Sequence, residues 1–174
     1  IRDERKIKKA VVIGGGLIGI ETCEALRLAG IEITLIELLP QLLTFLDKHM
    51  ARLVEKYVKT KANVILQNGV ASFLGENGKL TAVKLQDGTE IPCDLAVVAI
   101  GVIPNTKLAN EAGLTLGNTG GIVVDEFMQT SDPDIYAVGD CIQIPNLITH
   151  QPVHAPYGDL ANLQGRVAGQ NVIS

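Results

Sequence analysis

Gly14, Gly16 and Gly19 stand at the spacing G-x-G-x-x-G, directly after the β-rich run Lys9–Ile13 and at the start of a helical pattern, Leu17–Leu28. Those residue types at that spacing suit a pyrophosphate. The first glycine permits a tight turn, the second lets the phosphates approach the backbone, and the third lets helix and strand pack closely. The helix start, at Leu17 and Ile18, offers unpaired N–H groups and a partial positive charge to the phosphates. Glu37 follows 18 residues beyond Gly19, at the end of the second expected strand, where a carboxylate can bind both ribose hydroxyls of an adenosine. The same charge repels a 2′-phosphate, and no Arg lies in residues 36–41, so NAD(H) is expected over NADP(H). The glycine pattern alone fits NAD and FAD equally.

The elements around this loop read as alternating strand and helix. Residues 9–13, 31–36 and 63–66 are expected strands. Leu17, Ile18, Ala25 and Leu28 supply a sheet-facing stripe on the first helix, which Gly30 closes. A second helix begins at Asp47, with Met50, Leu53, Val54, Tyr57 and Val58 at amphipathic spacing. Such alternation predicts an α/β fold with a doubly wound, Rossmann-like parallel sheet. Short β segments at 70–74, 80–85 and 90–91 follow, separated by Asn77-Gly78 and Asp87-Gly88, and predict an antiparallel β-meander. Residues 95–100 form an apolar strand suited to a buried position and ending at Gly101. Further on, 122–124 and 135–138 are expected strands. A last helix spans 159–173, with Leu160, Leu163, Val167 and Val172 as its stripe.

Composition removes several classes of function. The 15 Lys+Arg and 19 Asp+Glu give a net charge of −4, which offers no footprint for nucleic acid or an anionic membrane. Aromatic residues are 3% of the chain and Trp is absent, so base-stacking platforms are not expected. No apolar run approaches the ~20 residues of a membrane span. Cys23, Cys93 and Cys141 lie far apart, without metal-ligand spacing, and read as small apolar side chains in a reducing, cytoplasmic setting. No metal site is expected. His49 reads as solvent-facing, and His150 and His154 as loop residues; the basic start, Arg5-Lys6-Lys8-Lys9, reads as a solvated strand entry. The chain opens on Ile1 rather than Met, which suggests a piece of a longer protein.

Three ordered motifs carry a resemblance: Gly14-Gly15-Gly16-Leu17-Ile18-Gly19-Ile20-Glu21, Ala99-Ile100-Gly101-Val102-Ile103-Pro104-Asn105-Thr106, and Asp134-Ile135-Tyr136-Ala137-Val138-Gly139-Asp140. Together they resemble the pyridine nucleotide–disulfide oxidoreductases, over nearly the whole chain. Residues 155–166 resemble the flavin-facing helix start of the branch holding coenzyme A disulfide reductases, persulfide reductases and NADH oxidases, except that Tyr157-Gly158 stands where members usually carry Leu-Ala.

The resemblance implies an NAD(H)-binding Rossmann domain at residues 1–103 and an incomplete returning segment of an FAD domain at 104–174. The first FAD segment and a C-terminal dimerisation domain of the family are not in this sequence. It implies NAD contacts at Gly14, Gly16, Leu17, Ile18, Gly19, Glu21, Glu37 and Gly101. Glu21 would lie near the nicotinamide, or is simply an exposed helix glutamate; Gly101 would pass the nicotinamide ribose, or only ends its strand. FAD contacts are implied at Gly139, Asp140, Tyr157 and Gly158. No catalytic residue is expected here, because the family's redox cysteine would lie in the missing segment. The implied activity passes hydride from NADH to FAD and on to a small disulfide, persulfide, CoA derivative or oxygen, in a homodimeric parent. Two other readings stay open: a ferredoxin- or rubredoxin-type reductase, and, for the isolated chain, a non-catalytic NAD-binding module that retains no FAD.

Overall fold

The computed structural model describes residues 7–173, which divide into two compact units between Gly101 and Val102. In the first unit, β1 (Lys9–Ile13), α1 (Leu17–Leu28), β2 (Glu32–Ile36), α2 (Lys48–Val58) and β3 (Asn63–Ile65) alternate, and β7 (Leu95–Val98) completes a sheet of order β3-β2-β1-β7. Every pairing in this sheet is parallel. Between β3 and β7 run the antiparallel strands β4 (Val70–Glu76), β5 (Lys79–Leu85) and β6 (Glu90–Pro92). The β4–β5 turn works because Asn77 and Gly78 both take positive φ, +50° and +72°.

Strand alternation sorts the core into two layers. Ala10, Val12, Ile33 and Leu35 pack with Cys23 and Leu26 of α1 and Val58 of α2. Val11, Ile13 and Ile36 face the other way, against Val83 and Leu85 of the meander and Cys93. Helices thus cover one sheet face and the meander the other. Strands leave β1 in opposite directions, towards β2 and towards β7, and the resulting crevice at the carboxyl ends is where such sheets bind ligands.

Several expected stripes are rotated. On α1 the buried residues are Gly19, Cys23 and Leu26, while Leu17, Ile18, Ala25 and Leu28 are exposed. A Cβ at position 19 would run into the Gly14 carbonyl oxygen, so this close contact sets the helix's rotation. On α2 the buried residues are Ala51 and Val58, with Val54 packed beside them, and Met50, Leu53 and Tyr57 face solvent. Small Ala51 lets that helix approach the sheet on a narrower face than the larger side chains would. Strand β7 lies at the sheet edge rather than in a buried position, and Val98 and Ile100 are exposed. Arg5 and Lys6 of the basic start lie outside the described residues; the backbone N–H groups of Lys8 and Lys9 both donate to the Asp94 carboxylate, at 2.9 and 3.0 Å.

The second unit contains α3 (Lys107–Glu111), β8 (Ile122–Val123), a one-turn helix at Gly139–Cys141, β9 (Ile142–Pro145), β10 (Pro152–Val153) and α4 (Gly158–Val172). Its small sheet has the order β10-β9-β8, with Leu114, Ile122 and Ile142 at its core. The expected strand at 135–138 is no sheet member. It pairs only locally, through a Tyr136–Gln129 bridge flanked by Thr130 N–H on the Ile135 carbonyl and Ala137 N–H on the Met128 carbonyl. The pairing runs across a tight turn in which Asp132 accepts the Ile135 N–H on its carbonyl and the Asp134 N–H on its carboxylate. On α4, Ala168 is buried and Leu160 and Val167 are half-buried, but Leu163 and Val172 are exposed.

Candidate nucleotide-binding site

The glycine loop joins three strand ends. Gly14 N–H donates to the Ile36 carbonyl at 2.8 Å, and Ala99 N–H donates to the Ile13 carbonyl at 2.7 Å. Gly14 takes φ +111°, and a Cβ there would collide with the Ala99 carbonyl, so only glycine fits between β1 and the end of β7. Gly16 differs from its neighbours: it is exposed, and a Cβ on it would meet nothing within 4 Å. It also stands at the N-cap of α1, whose first N–H groups receive no side-chain cap. Those donors, with Leu17 and Ile18 exposed on the first turn, give an open surface suited to an anion.

Glu37 ends beside this surface. Its Oε2 accepts the Gly15 N–H at 2.6 Å and its Oε1 accepts the Leu39 N–H at 2.7 Å. Two backbone donors therefore fix the carboxylate against the loop, while each oxygen keeps accepting capacity for hydroxyl groups. Sequence spacing gave Glu37 a position; the bond to Gly15, the residue between the two motif glycines, is visible only in the structure. Glu21 is exposed on α1. Gly101 is exposed with φ +104° and open space around it, so a leucine or valine there would be strained by its backbone rather than by its neighbours.

The residues of the first unit thus converge on the carboxyl edge of the parallel sheet. An open groove of about 620 Å³ lies at the opposite edge, lined by Glu32, Lys59, Lys61 and Asn63 among others. Its lysines are engaged, Lys59 with Glu55 at 2.6 Å and Lys61 over the Tyr57 ring, and it holds none of the residues singled out above.

In the second unit, Gly139 takes φ +79° and its N–H donates to Gln164 Oε1 at 2.8 Å. A ring nitrogen of His154, Nε2, lies 2.7 Å from the Asp140 carbonyl, leaving the Asp140 side chain exposed. Tyr157 stands at the N-cap of α4, half exposed, and Gly158 begins the helix with open space at its Cα. Gln164 and His154 are thus structural partners of the Gly139–Asp140 turn. A sequence offers no signal for Gln164, whose role depends on which face of α4 meets that turn.

Among the described residues no cluster of His, Cys, Asp or Glu could hold a metal ion, and no helix is long and apolar enough to cross a membrane. Cys23 and Cys93 are buried, and Cys141 is half-buried; none is in a disulfide. Burial pushes the Cys23 thiol up to about 11. Burial, and after it the negative charge of Asp94, raise Cys93 as well.

The family profile described as pyridine nucleotide-disulphide oxidoreductase matches residues 1–155. An NADH oxidase of Methanocaldococcus jannaschii is 40% identical over 98% of this chain, which spans 38% of that relative's length. Putidaredoxin reductase of Pseudomonas putida is 40% identical over 76% of the chain and is covered to 32%. Among solved structures, an NAD-dependent persulfide reductase from A. fulgidus superposes with a TM-score of 0.94 at 44% identity, over 97% of this chain and 31% of that one. With a glycine loop, an acidic strand end and this breadth of match, the chain belongs to the pyridine nucleotide-disulphide oxidoreductase family.

Proposed function

We propose that residues 1–103 form the NAD(H)-binding domain, and residues 104–174 a returning part of the FAD domain, of an oxidoreductase that passes hydride from NADH to FAD. The observation that carries this reading is the pairing of an open Gly16 at the head of α1 with a Glu37 carboxylate held against the same loop. Gly14, Gly16, Leu17, Ile18 and Gly19 would hold the pyrophosphate, Glu37 the adenosine ribose, and Glu21 and Gly101 the nicotinamide end. Gly139, Asp140, Tyr157 and Gly158 would contact the flavin. The residues fit these groups: Gly139 has the left-handed backbone of a close approach, and the Asp140 carboxylate is exposed. When bound, NADH supplies the hydride and FAD accepts it. This chain's own residues bind and orient; its buried thiols are poorly suited to redox work, which fits a redox cysteine elsewhere in the parent protein.

Electrons then pass to a small disulfide, a persulfide, a CoA disulfide or oxygen; relatives named as an NADH oxidase, a coenzyme A polysulfide/persulfide reductase and a persulfide reductase support this range. The putidaredoxin reductase match favours a second reading, transfer to a protein carrier. The reading includes a homodimeric parent, no nucleic-acid or membrane partner, and a cytoplasmic location, which unpaired cysteines suit. Parallel NADH and NADPH titrations of the 174-residue chain, with an absorbance scan for flavin on the same sample, test it. NADH binding well above NADPH, without retained flavin, is expected of this chain. Preferential NADPH binding would overturn the assignment of Glu37.

A further inference from the structure

Leu43 holds a left-handed backbone, φ +47°, although it is neither Gly nor Asn and its side chain is 8% exposed. Such a conformation is costly for leucine and persists only where the surroundings enforce it. Here the enforcement is local: neighbouring Leu42 is fully buried, Leu46 N–H donates to the Leu43 carbonyl at 2.8 Å, and the Gln41 side-chain amide donates to the Leu46 carbonyl at 3.0 Å. The strain accomplishes one thing beyond the loop itself. Leu43 N–H donates to the carbonyl of buried Gly15 at 2.9 Å.

That bond has a consequence one atom further along. The Gly15 carbonyl and the Gly16 N–H belong to one planar trans peptide, so they point in opposite directions. Holding the carbonyl inward turns the Gly16 N–H outward, towards the side where Gly16 is exposed and has no neighbour within 4 Å of an added Cβ. The preceding peptide is fixed likewise, through Gly15 N–H on Glu37. We propose that Leu43 is a positioning residue whose strained backbone aims the Gly16 N–H at the nucleotide's pyrophosphate. The inference rests on the NAD(H) reading above.

Two substitutions separate positioning from packing. Leu43→Val keeps an apolar side chain but cannot sit at this φ, whereas Leu43→Asn tolerates the φ and loses the apolar packing. NADH affinity is measured by titration, the melting midpoint by thermal unfolding, and exchange of the position 43 and Gly16 amides by NMR. The valine variant is expected to bind NADH on the order of tenfold more weakly, the loss of one well-aimed donor to a charged group. The asparagine variant is expected to stay within about threefold of the parent chain despite a lower melting midpoint. Wild-type affinity in Leu43→Val, or affinity losses that follow the melting midpoint in both variants, would overturn the proposal. If the valine variant fails to fold, Leu43→Gly replaces it: glycine adopts this φ freely, so weakened NADH binding in a folded Leu43→Gly would count against positioning. Failure of the parent chain to bind NADH would sink the nucleotide reading instead, and exchange would still decide the clamp. Fast exchange of the position 43 amide in the parent chain would overturn it, and protection lost only in Leu43→Val would uphold it.

Discussion

The carbonyl oxygen of Gly14 lies against the Cα of Gly19, so close that a methyl group at position 19 has no room. This contact locks α1 to the end of β1 and sets which residues of the helix face the sheet. Gly19→Ala should therefore push helix and strand apart, at a cost of roughly 1–3 kcal/mol. It should also weaken NADH binding, because the N–H groups at the helix start move with the helix. Chemical denaturation paired with an NADH titration checks both. Unchanged stability in Gly19→Ala would mean the contact relaxes without consequence.

Glu37 combines two roles that different substitutions separate. Its oxygens accept Gly15 and Leu39 N–H groups, and its charge faces the place proposed for the adenosine ribose. Glu37→Gln can keep one of the backbone bonds while removing the charge, so the penalty against a 2′-phosphate should fall and the NADH-to-NADPH preference should narrow by about tenfold or more. Glu37→Ala should lose the tie to the loop as well and weaken NADH further than the glutamine variant does. Parallel titrations with both nucleotides give the two ratios.

The loop, the first helix and Glu37 were legible in the sequence because each depends on near neighbours: a strand, three glycines, a helix, then an acid at the next strand end. The rotation of α1 was not, since it follows from one backbone contact between Gly14 and Gly19 rather than from the spacing of Leu17, Ile18, Ala25 and Leu28. Leu43 could not be found by pattern, because nothing in leucine's chemistry marks a left-handed residue. In the second unit the short pairings of β9 and β10 and the helix α3 were missed. Two to five residues carry too little periodicity to register, and the apolar run at 135–138 pairs only with residues 128–130 across a tight turn instead of joining a sheet.

Asp94 links the entry of β1 to the start of β7. The backbone N–H groups of Lys8 and Lys9 donate to its carboxylate and hold its pKa below the ordinary 3.8, with the lysine charges contributing less. A carboxyl with a lowered folded pKa stabilises the fold fully above its unfolded value and loses that contribution as pH falls through the folded one. Stability should therefore decline below about pH 4, and Asp94→Asn should show a shallower decline over the same interval. Asp87, lowered chiefly by the Thr89 N–H, adds to the slope and should remain in the Asp94→Asn variant. Denaturation midpoints at pH 6 and pH 3 measure the difference; equal slopes in the two proteins would remove Asp94 from the account.

The buried thiols predict the opposite limb. Burial raises Cys23 from 9.0 to about 11, so the fold favours the neutral thiol. That contribution is complete below pH 9 and is lost as pH climbs towards 11, where the unfolded chain ionises first. Stability should fall between those values, less steeply in Cys23→Ala; Cys93, raised by burial and then by Asp94, accounts for part of what remains. The same burial slows chemistry at these sulfurs, since the thiolate is the nucleophile. At pH 8 a thiol reagent should label half-buried Cys141 first, although its S–H lies 3.3 Å from the Val138 carbonyl, and Cys23 only on the timescale of unfolding. Rapid labelling of Cys23 in the folded chain would show an accessible thiol on α1, and with it a reason to look for redox chemistry at that sulfur.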